Sequence, residues 1–237
     1  MTCTLGLRIA TFDWPSATDD LDARGWCRLP GLLTDEQCEA VAALYNAAET
    51  FRSHVVMARH GYGRGEYRYF AYPLPSLVAD LRRLLYPRLA PIANRWHPRI
   101  GNEAYFPPNH DDFLRRCHAA GQARPTPLLL RYDPGDYNCL HQDLYGEHVF
   151  PLQAAILLSR PGDDFSGGEF VLTEQRPRMQ SRVEVVPLDR GDAVIFAVNN
   201  RPVRGSRGDY KVVMGHGVST LRGGQRHSLG IIFHDAA

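Results

Sequence analysis

The sequence predicts a mainly β protein with flanking helices, and three observations carry that expectation. Beyond Pro125-Thr126-Pro127 the chain becomes a series of short apolar runs at 128–132, 152–158, 168–174, 183–188, 193–198, 210–214 and 226–233. Turn formers separate them, among them Pro134-Gly135, Pro161-Gly162, Gly167-Gly168, Gly191-Asp192 and Gly223-Gly224. Many short strands at such spacing are the pattern of a sandwich or barrel. Ahead of residue 125 apolar positions recur at helical spacing, so helices are expected to pack outside that core.

Taken in order, Thr34-Asp35-Glu36-Gln37 has the form of a capping box, and Val41, Ala42, Leu44 and Tyr45 continue at helical spacing. A helix over roughly 34–50 follows from that pattern. Residues 54–70 are rich in glycine and aromatic side chains without a helical period, and read as a loop or hairpin. A second helix is expected after Pro75 with Ser76 as its cap, running through Leu77, Leu81, Leu84 and Leu85, with Pro87 and Pro91 breaking or restarting it. A short third helix fits 109–120. No linker or repeat divides the 237 residues, so one domain is expected over 1–237, with a helical layer at 1–124 and a β core at 125–237.

Composition is that of an ordinary globular protein, 44% apolar and 22% charged, which excludes a disordered chain. No run reaches the ~18 apolar residues of a membrane helix, and no basic segment followed by an apolar one opens the chain, so a cytoplasmic protein is expected. Five cysteines (Cys3, Cys27, Cys38, Cys117, Cys139) without a CxxC pair point to reduced thiols, not a disulfide scaffold or zinc knuckle. The net charge of +1 hides a basic stretch: residues 51–100 hold nine arginines against Glu66 and Asp80. Lys211 is the single lysine. Guanidinium suits bidentate contact with phosphate or carboxylate, although a GC-rich coding sequence also favours arginine. The whole-chain charge falls short of a strongly basic, duplex-gripping domain.

On a strand, residues i and i+2 point to one face, so His141 and Asp143 in Leu140-His141-Gln142-Asp143 would bring an imidazole and a carboxylate to one point. Alone, H-x-D is a frequent accident. A third ligand must come from another strand facing the same cavity, and His216 in Met214-Gly215-His216-Gly217-Val218 follows the run at 210–214. Arg226 and Ser228 come next, after Gly223-Gly224 as the intervening turn. If that hairpin sets His216 opposite Ser228, Arg226 lies two residues away on the same face, roughly 7 Å along the strand. A guanidinium there can bind the far carboxylate of a short dicarboxylic acid whose other end chelates the metal, and Ser228 can add a hydroxyl. Two histidines and one carboxylate with open positions form the facial triad of non-haem Fe(II) oxygenases.

The order H-x-D…H…R-x-S over residues 125–237 resembles the Fe(II)/2-oxoglutarate-dependent dioxygenases. That resemblance implies a double-stranded β-helix (jelly-roll) core, Fe(II) on His141, Asp143 and His216, 2-oxoglutarate on Arg226 and Ser228, and O2 as oxidant. Within the superfamily, Tyr132-Asp133-Pro134-Gly135 followed by His141-Gln142-Asp143 looks like the Y-x-P-G…H-Q-D stretch of AlkB-type nucleic-acid dealkylases, which makes Tyr132 a further 2-oxoglutarate contact. The stretches LLLRYDPGDYNCLHQDLYGEHVFPLQ, GGEFVLTEQRPRMQSR and LGIIFHDA are similar to a bacterial family described as oxygenases acting on damaged DNA. Oxidative dealkylation of damaged DNA bases, with DNA as partner, is the activity this implies. One departure stands out. AlkB-type enzymes carry a second arginine at the end of the last strand, where this chain reads Gly230-Ile231-Ile232-Phe233-His234. The R-x-S form resembles prolyl-hydroxylase-like and small-molecule members, so a protein or amino-acid side-chain hydroxylase is the alternative. A non-catalytic binding barrel is a second alternative, against which the complete ligand set argues.

A nucleic-acid substrate needs phosphate contacts and a stacking surface for an unpaired base. Arg59, Tyr62, Arg64, Tyr67 and Arg68 are the candidates, in a segment that can form a lid over the iron or simply a packed hairpin with solvated arginines. Other features carry less. The glycines at 61, 63 and 65 lack the βαβ unit of a dinucleotide site. Gly167-Gly168-Glu169-Phe170 reads as a turn entering a strand, with Glu169 able to face the cavity. His148 and His234 are competing ligands, His227 points away from Arg226, and Cys139 shares a face with His141 on a regular strand.

Overall fold

Two helices that the periodicity does not announce open the chain. In the computed structural model, which describes residues 2–237, α1 (Thr2–Thr11) and α2 (Trp14–Arg24) lead into β1 (Trp26–Leu29). Local chemistry bounds α2: the Asp13 carboxylate accepts the Ser16 N–H at 3.0 Å, Pro15 sits in the first turn, and Gly25 ends the helix in the left-handed conformation. The expected capping box opens α3 (Asp35–Ala43): Gln37 N–H donates to Thr34 Oγ1 and Thr34 N–H donates to Gln37 Oε1. This helix stops short of residue 50, and two 3-10 turns, Leu44–Asn46 and Ala48–Thr50, take up the remainder.

The glycine- and aromatic-rich segment is a hairpin of β2 (Phe51–Val56) and β4 (Glu66–Phe70), whose connection carries β3 (Gly63–Arg64). After it come α4 (Ser76–Arg99) and α5 (His110–Ala119), the latter close to expectation. Contrary to the expected break, α4 runs on through Pro87 and Pro91, and through Pro98 as well. All three prolines lie on its exposed side, and the carbonyls they release belong to Arg83, Pro87 and Asn94, none of them buried. On the opposite side Val78, Leu81, Leu85, Leu89, Ile92 and Trp96 are buried. Burial at about 1.5–3 kcal/mol per side chain outweighs about 3 kcal/mol per proline when water satisfies the freed carbonyl. Ser76 is the first helical residue; Pro75 occupies the cap position, and no side chain caps the helix.

The rest of the chain is strand: β5 (Leu128–Tyr132), β6 (Tyr137–His141), β7 (Leu152–Leu157), β8 (Phe165–Gly167), β9 (Phe170–Gln175), β10 (Arg182–Val186), β11 (Ala193–Ala197), β12 (Asn200–Gly205), β13 (Gly208–Val218), β14 (Leu221–Gly224) and β15 (Arg226–Ile231). A major sheet has the order β1-β11-β7-β15-β5-β4-β2, and a minor sheet the order β10-β9-β13-β6-β3, with β12 folded back on β13. The named strands pair antiparallel throughout, and the two sheets form a jelly roll. The first half is more than a helical layer: β1, β2 and β4 extend the major sheet, and β3 edges the minor one.

Helices cover the outer face of the major sheet. Leu5, Leu21, Leu81 and Trp96 join Ile156, Ile195 and Ile231 in one apolar cluster. Because its inner face is covered too, β11 is buried at every position. The minor sheet is covered in part: α2 and α4 pack on β12, and Val212 and Met214 join the same cluster, while Val183, Val185 and Val213 stand exposed. Between the sheets lies a cavity of about 470 Å³.

Candidate active site

His141, Asp143 and His216 meet in that cavity, with one ligand atom from each lying within 4.8 Å of the others. The Nε2 of His141 is 3.6 Å from Asp143 Oδ1, and the Nε2 of His216 is 3.4 Å from Asp143 Oδ2. His216 on β13 and His141 on β6 are register partners, which sets their rings 4.1 Å apart. Strand alternation does not carry Asp143, as the sequence leads one to expect: β6 ends at His141 and the carboxylate sits beyond it. It is held instead by Tyr145, whose hydroxyl donates to Asp143 Oδ1 at 2.8 Å. Among the described residues, no other histidine, cysteine, aspartate or glutamate cluster converges in this way.

Charge and protonation suit a cation. Burial alone would raise the Asp143 carboxyl, but the His216 and His141 imidazoles and the Tyr145 hydroxyl outweigh it and hold the group below the usual carboxylate range. Burial and the neighbouring His216 push His141 below its ordinary value, so it presents a neutral ring. Its Nδ1 lies 2.8 Å from the Cys139 carbonyl, which leaves Nε2 as the free ligand atom. Two imidazoles and one carboxylate turned toward a common point, beside a buried His216 Nδ1 without a partner, are a donor set that a divalent metal fits.

The other end of the cavity is cationic. Arg226 is 2% exposed, and among the described residues no carboxylate pairs with it. Its NH1 donates to Ser228 Oγ at 3.1 Å, and its Nε has no partner. Burial pulls it below the ordinary guanidinium value. Opposite it on β5 stands Tyr132, whose ring centre is 5.5 Å from the guanidinium and whose buried hydroxyl also lacks a partner; burial pushes that phenol up to about 12. A buried unpaired cation flanked by two hydroxyls is costly unless an anion joins it. A dicarboxylate reaching from here to the triad meets both demands.

The expected hairpin between His216 and Ser228 does not exist. Gly223 and Gly224 belong to β14, which pairs with β8, so the chain crosses from one sheet to the other. His216 therefore lies in the minor sheet and Arg226 and Ser228 in the major one, yet all three line the same cavity.

Of the proposed substrate contacts, Tyr62 and Tyr67 line the cavity, whereas Arg59, Arg64 and Arg68 do not. Parity explains Arg68: on β4 it faces outward from Tyr67 and Tyr69, and stacks over Tyr45 at 4.7 Å. Arg64 is exposed near Asp136, and Arg59 is exposed at the hairpin tip. Tyr69, Tyr145 and Gln153 line the wall without having been singled out. The spacings Tyr67-x-Tyr69 and Asp143-x-Tyr145 are the signals that point to the first two. At the foot of the hairpin Gly65 presses on the Tyr132 ring; a Cβ there would lie 2.9 Å from Tyr132 Cδ1.

The remaining candidates are structural. His234 is wholly buried, accepts the Phe150 N–H at 3.2 Å, and is pushed down to about 4 by burial. The His148 N–H donates to Gln122. Glu169 bonds Ser219 and Arg222 and does not line the cavity, while Cys139 does.

Several solved structures are similar. A Pseudomonas putida prolyl-4-hydroxylase aligns at TM-score 0.54 and 18% identity over 92% of this chain and 96% of its own. A Burkholderia pseudomallei oxidoreductase of the 2OG-Fe(II) oxygenase family aligns at 0.53 and 17%, over 96% and 94%. A Trichoplax adhaerens prolyl hydroxylase, solved with a hypoxia inducible factor peptide fragment, aligns at 0.56 and 16%, over 97% and 91%. These likenesses concern the fold. The donor set that this fold encloses, two histidines and one carboxylate, is that of a non-haem Fe(II) oxygenase. More narrowly, the family model Oxygenase-NA, described as an oxygenase catalysing oxidative methylation of damaged DNA, matches residues 65–236, and the chain belongs to that family. The uncharacterized proteins MT2286 and Rv2227 of Mycobacterium tuberculosis are each 52% identical to it over 168 residues, 71% of this chain and 72% of theirs.

Proposed function

We propose that this dioxygenase removes alkyl groups from damaged DNA bases by oxidation, acting in the cytoplasm on a base turned out of its strand. The cavity wall is the observation that carries the reading. Apart from the triad and Arg226 no lining side chain is charged, and Tyr62, Tyr67, Tyr69 and Tyr145 are all part of the wall. Flat rings stack on such surfaces. A space of about 470 Å³ suits one base beside the co-substrate, not a length of duplex. The description of the family supports a damaged-DNA substrate as well.

In this reading His141, Asp143 and His216 hold Fe(II), and Arg226, Ser228 and Tyr132 hold the far carboxylate of 2-oxoglutarate. Bound there, iron, O2 and the keto-acid supply insertion of one oxygen atom into a substrate C–H bond, with succinate and CO2 as the other products. Arg226 neutralises the carboxylate in a dry site, and the β15–β5 register fixes its distance from Tyr132. Burial, with Asp143 nearby, keeps the Tyr145 phenol protonated, so it remains a donor to that carboxylate. Hydroxylation of an N-methyl group gives a carbinolamine that loses formaldehyde and leaves N–H, so chemistry of this kind takes a methyl group away.

Residues 1–237 are proposed to act as one domain, since β1 and β4 are bonded into the major sheet. Among the described residues no helix is long and apolar enough to cross a membrane. Cys27, Cys38, Cys117 and Cys139 are free thiols, as suits a reducing compartment. An oligonucleotide bearing an N-methylated base, incubated with the protein, Fe(II), 2-oxoglutarate and O2, is expected to give equal amounts of formaldehyde and succinate. No formaldehyde from any methylated base, in single or double strands, would overturn the reading. A protein side-chain hydroxylase is the second reading, favoured because Arg59, Arg64 and Arg68 stay off the cavity and Gly230–His234 supply no arginine. A peptide would then gain a stable oxygen and release no formaldehyde.

A further inference from the structure

We infer that Tyr145 is a positioning residue that decides which oxygen of Asp143 faces the metal, an inference that rests on the triad proposed above. Asp143 lies outside β6, so its carboxylate depends on side-chain contacts. Oδ2 faces the His216 Nε2 at 3.4 Å, while Oδ1, 3.6 Å from the His141 Nε2, accepts the Tyr145 hydroxyl at 2.8 Å. The carboxylate can only accept, so the Tyr145 proton goes to Asp143, and Tyr69 in turn donates to the Tyr145 oxygen at 3.1 Å.

The segment carrying Tyr145 is itself clamped. Gln122, 2% exposed, donates through Nε2 to the Tyr145 carbonyl at 2.9 Å and to the Asp235 carbonyl at 2.7 Å. Its Oε1 accepts the His148 N–H at 2.7 Å. Gly146, at φ 89, passes so close to the Gln122 amide that a Cβ would collide with it. Gln122 and Tyr69 thus leave the Tyr145 hydroxyl one place to point.

An oxygen engaged in a charge-assisted hydrogen bond is a poorer metal ligand than its twin. Tyr145 therefore reserves Oδ2 for the metal and holds the carboxylate to a single ligand atom. A carboxylate binding through both oxygens would close a position that the keto-acid and O2 need.

Y145F keeps the ring and removes the hydroxyl. Mn(II) binding to the metal-free protein, measured by calorimetry without 2-oxoglutarate, is expected to weaken about 10- to 100-fold, the usual loss when a metal ligand is deprived of its hydrogen-bond partner. The Co(II)-loaded variant is expected to show a changed visible absorption band. Y69F should lose affinity in the same sense by roughly three- to tenfold, as for one neutral hydrogen bond. D143A tests the triad itself and should abolish Mn(II) binding. Wild-type Mn(II) affinity in D143A would remove the triad and the inference with it. Loss in D143A, with Y145F within twofold of wild type and an unchanged Co(II) band, would overturn the inference alone. Thermal unfolding of the metal-free proteins shows whether Y145F folds; if it does not, Y69F decides by the same twofold criterion.

Discussion

The two ends of the cavity are built by different means. At the co-substrate end Arg226 stands opposite Tyr132 and Ser228 opposite Leu130, all on adjoining strands in register. At the metal end His216 and His141 are also register partners, but Asp143 hangs beyond its strand and is held by phenols. A ladder suffices to place a guanidinium against a fixed carboxylate. A ligand that must offer one oxygen and withhold the other needs a hydrogen bond aimed at it.

The largest effects should come from the triad. H216A and D143A are expected to abolish succinate formation and the rise in melting temperature that Mn(II) gives the wild type. A variant that kept both would end the distinction between the two ends. R226M comes next: losing the cationic partner of a buried carboxylate costs about 2–5 kcal/mol, to be read as weaker 2-oxoglutarate binding by calorimetry. Its ligand-free melting temperature should rise, because the unpaired buried charge is gone. A fall would show that Arg226 has a partner without its ligand.

Two histidines outside the cavity are also buried and neutral. His234 packs near Tyr145, and His110 donates to or accepts from nothing charged, its Nε2 lying 2.8 Å from the Phe233 carbonyl. Burial, with Arg82 nearby, pushes His110 down to about 3, and burial holds His234 at about 4. Both pKa values lie below that of the unfolded chain, so the unfolded state binds the extra protons. Stability is full above the ordinary histidine pKa and falls as pH drops toward 4, by about 2 kcal/mol per group at pH 5. Urea midpoints at pH 7.5 and 5 check this, and H110Q should narrow the gap by about one such share. Smallest is Y132F, expected to weaken 2-oxoglutarate binding by about 1 kcal/mol with metal affinity untouched.

Much of this is legible in the sequence because all of the site but Asp143 sits on strands. His141, Asp143, His216, Arg226, Ser228 and Tyr132 share one cavity, as their order implies. The route between them was not legible, since a glycine pair reads alike in a turn and in a short strand such as β14. Polar α2 and the mostly exposed β6 lack the apolar periods that announce an element. The prolines of α4 mislead because their cost depends on which side faces water. Parity along β4 could have separated Arg68 from Tyr67 and Tyr69, whereas the Gln122 clamp joins residues too distant in the chain for any spacing rule.

Gly65 ties the hairpin to the Tyr132 ring with no room for even a methyl group between them. The foot of the hairpin and the strand that bears Tyr132 are thereby held as one piece. Its tip is free of that constraint: a Cβ at Gly61, beside the cavity-lining Tyr62, would meet nothing within 4 Å.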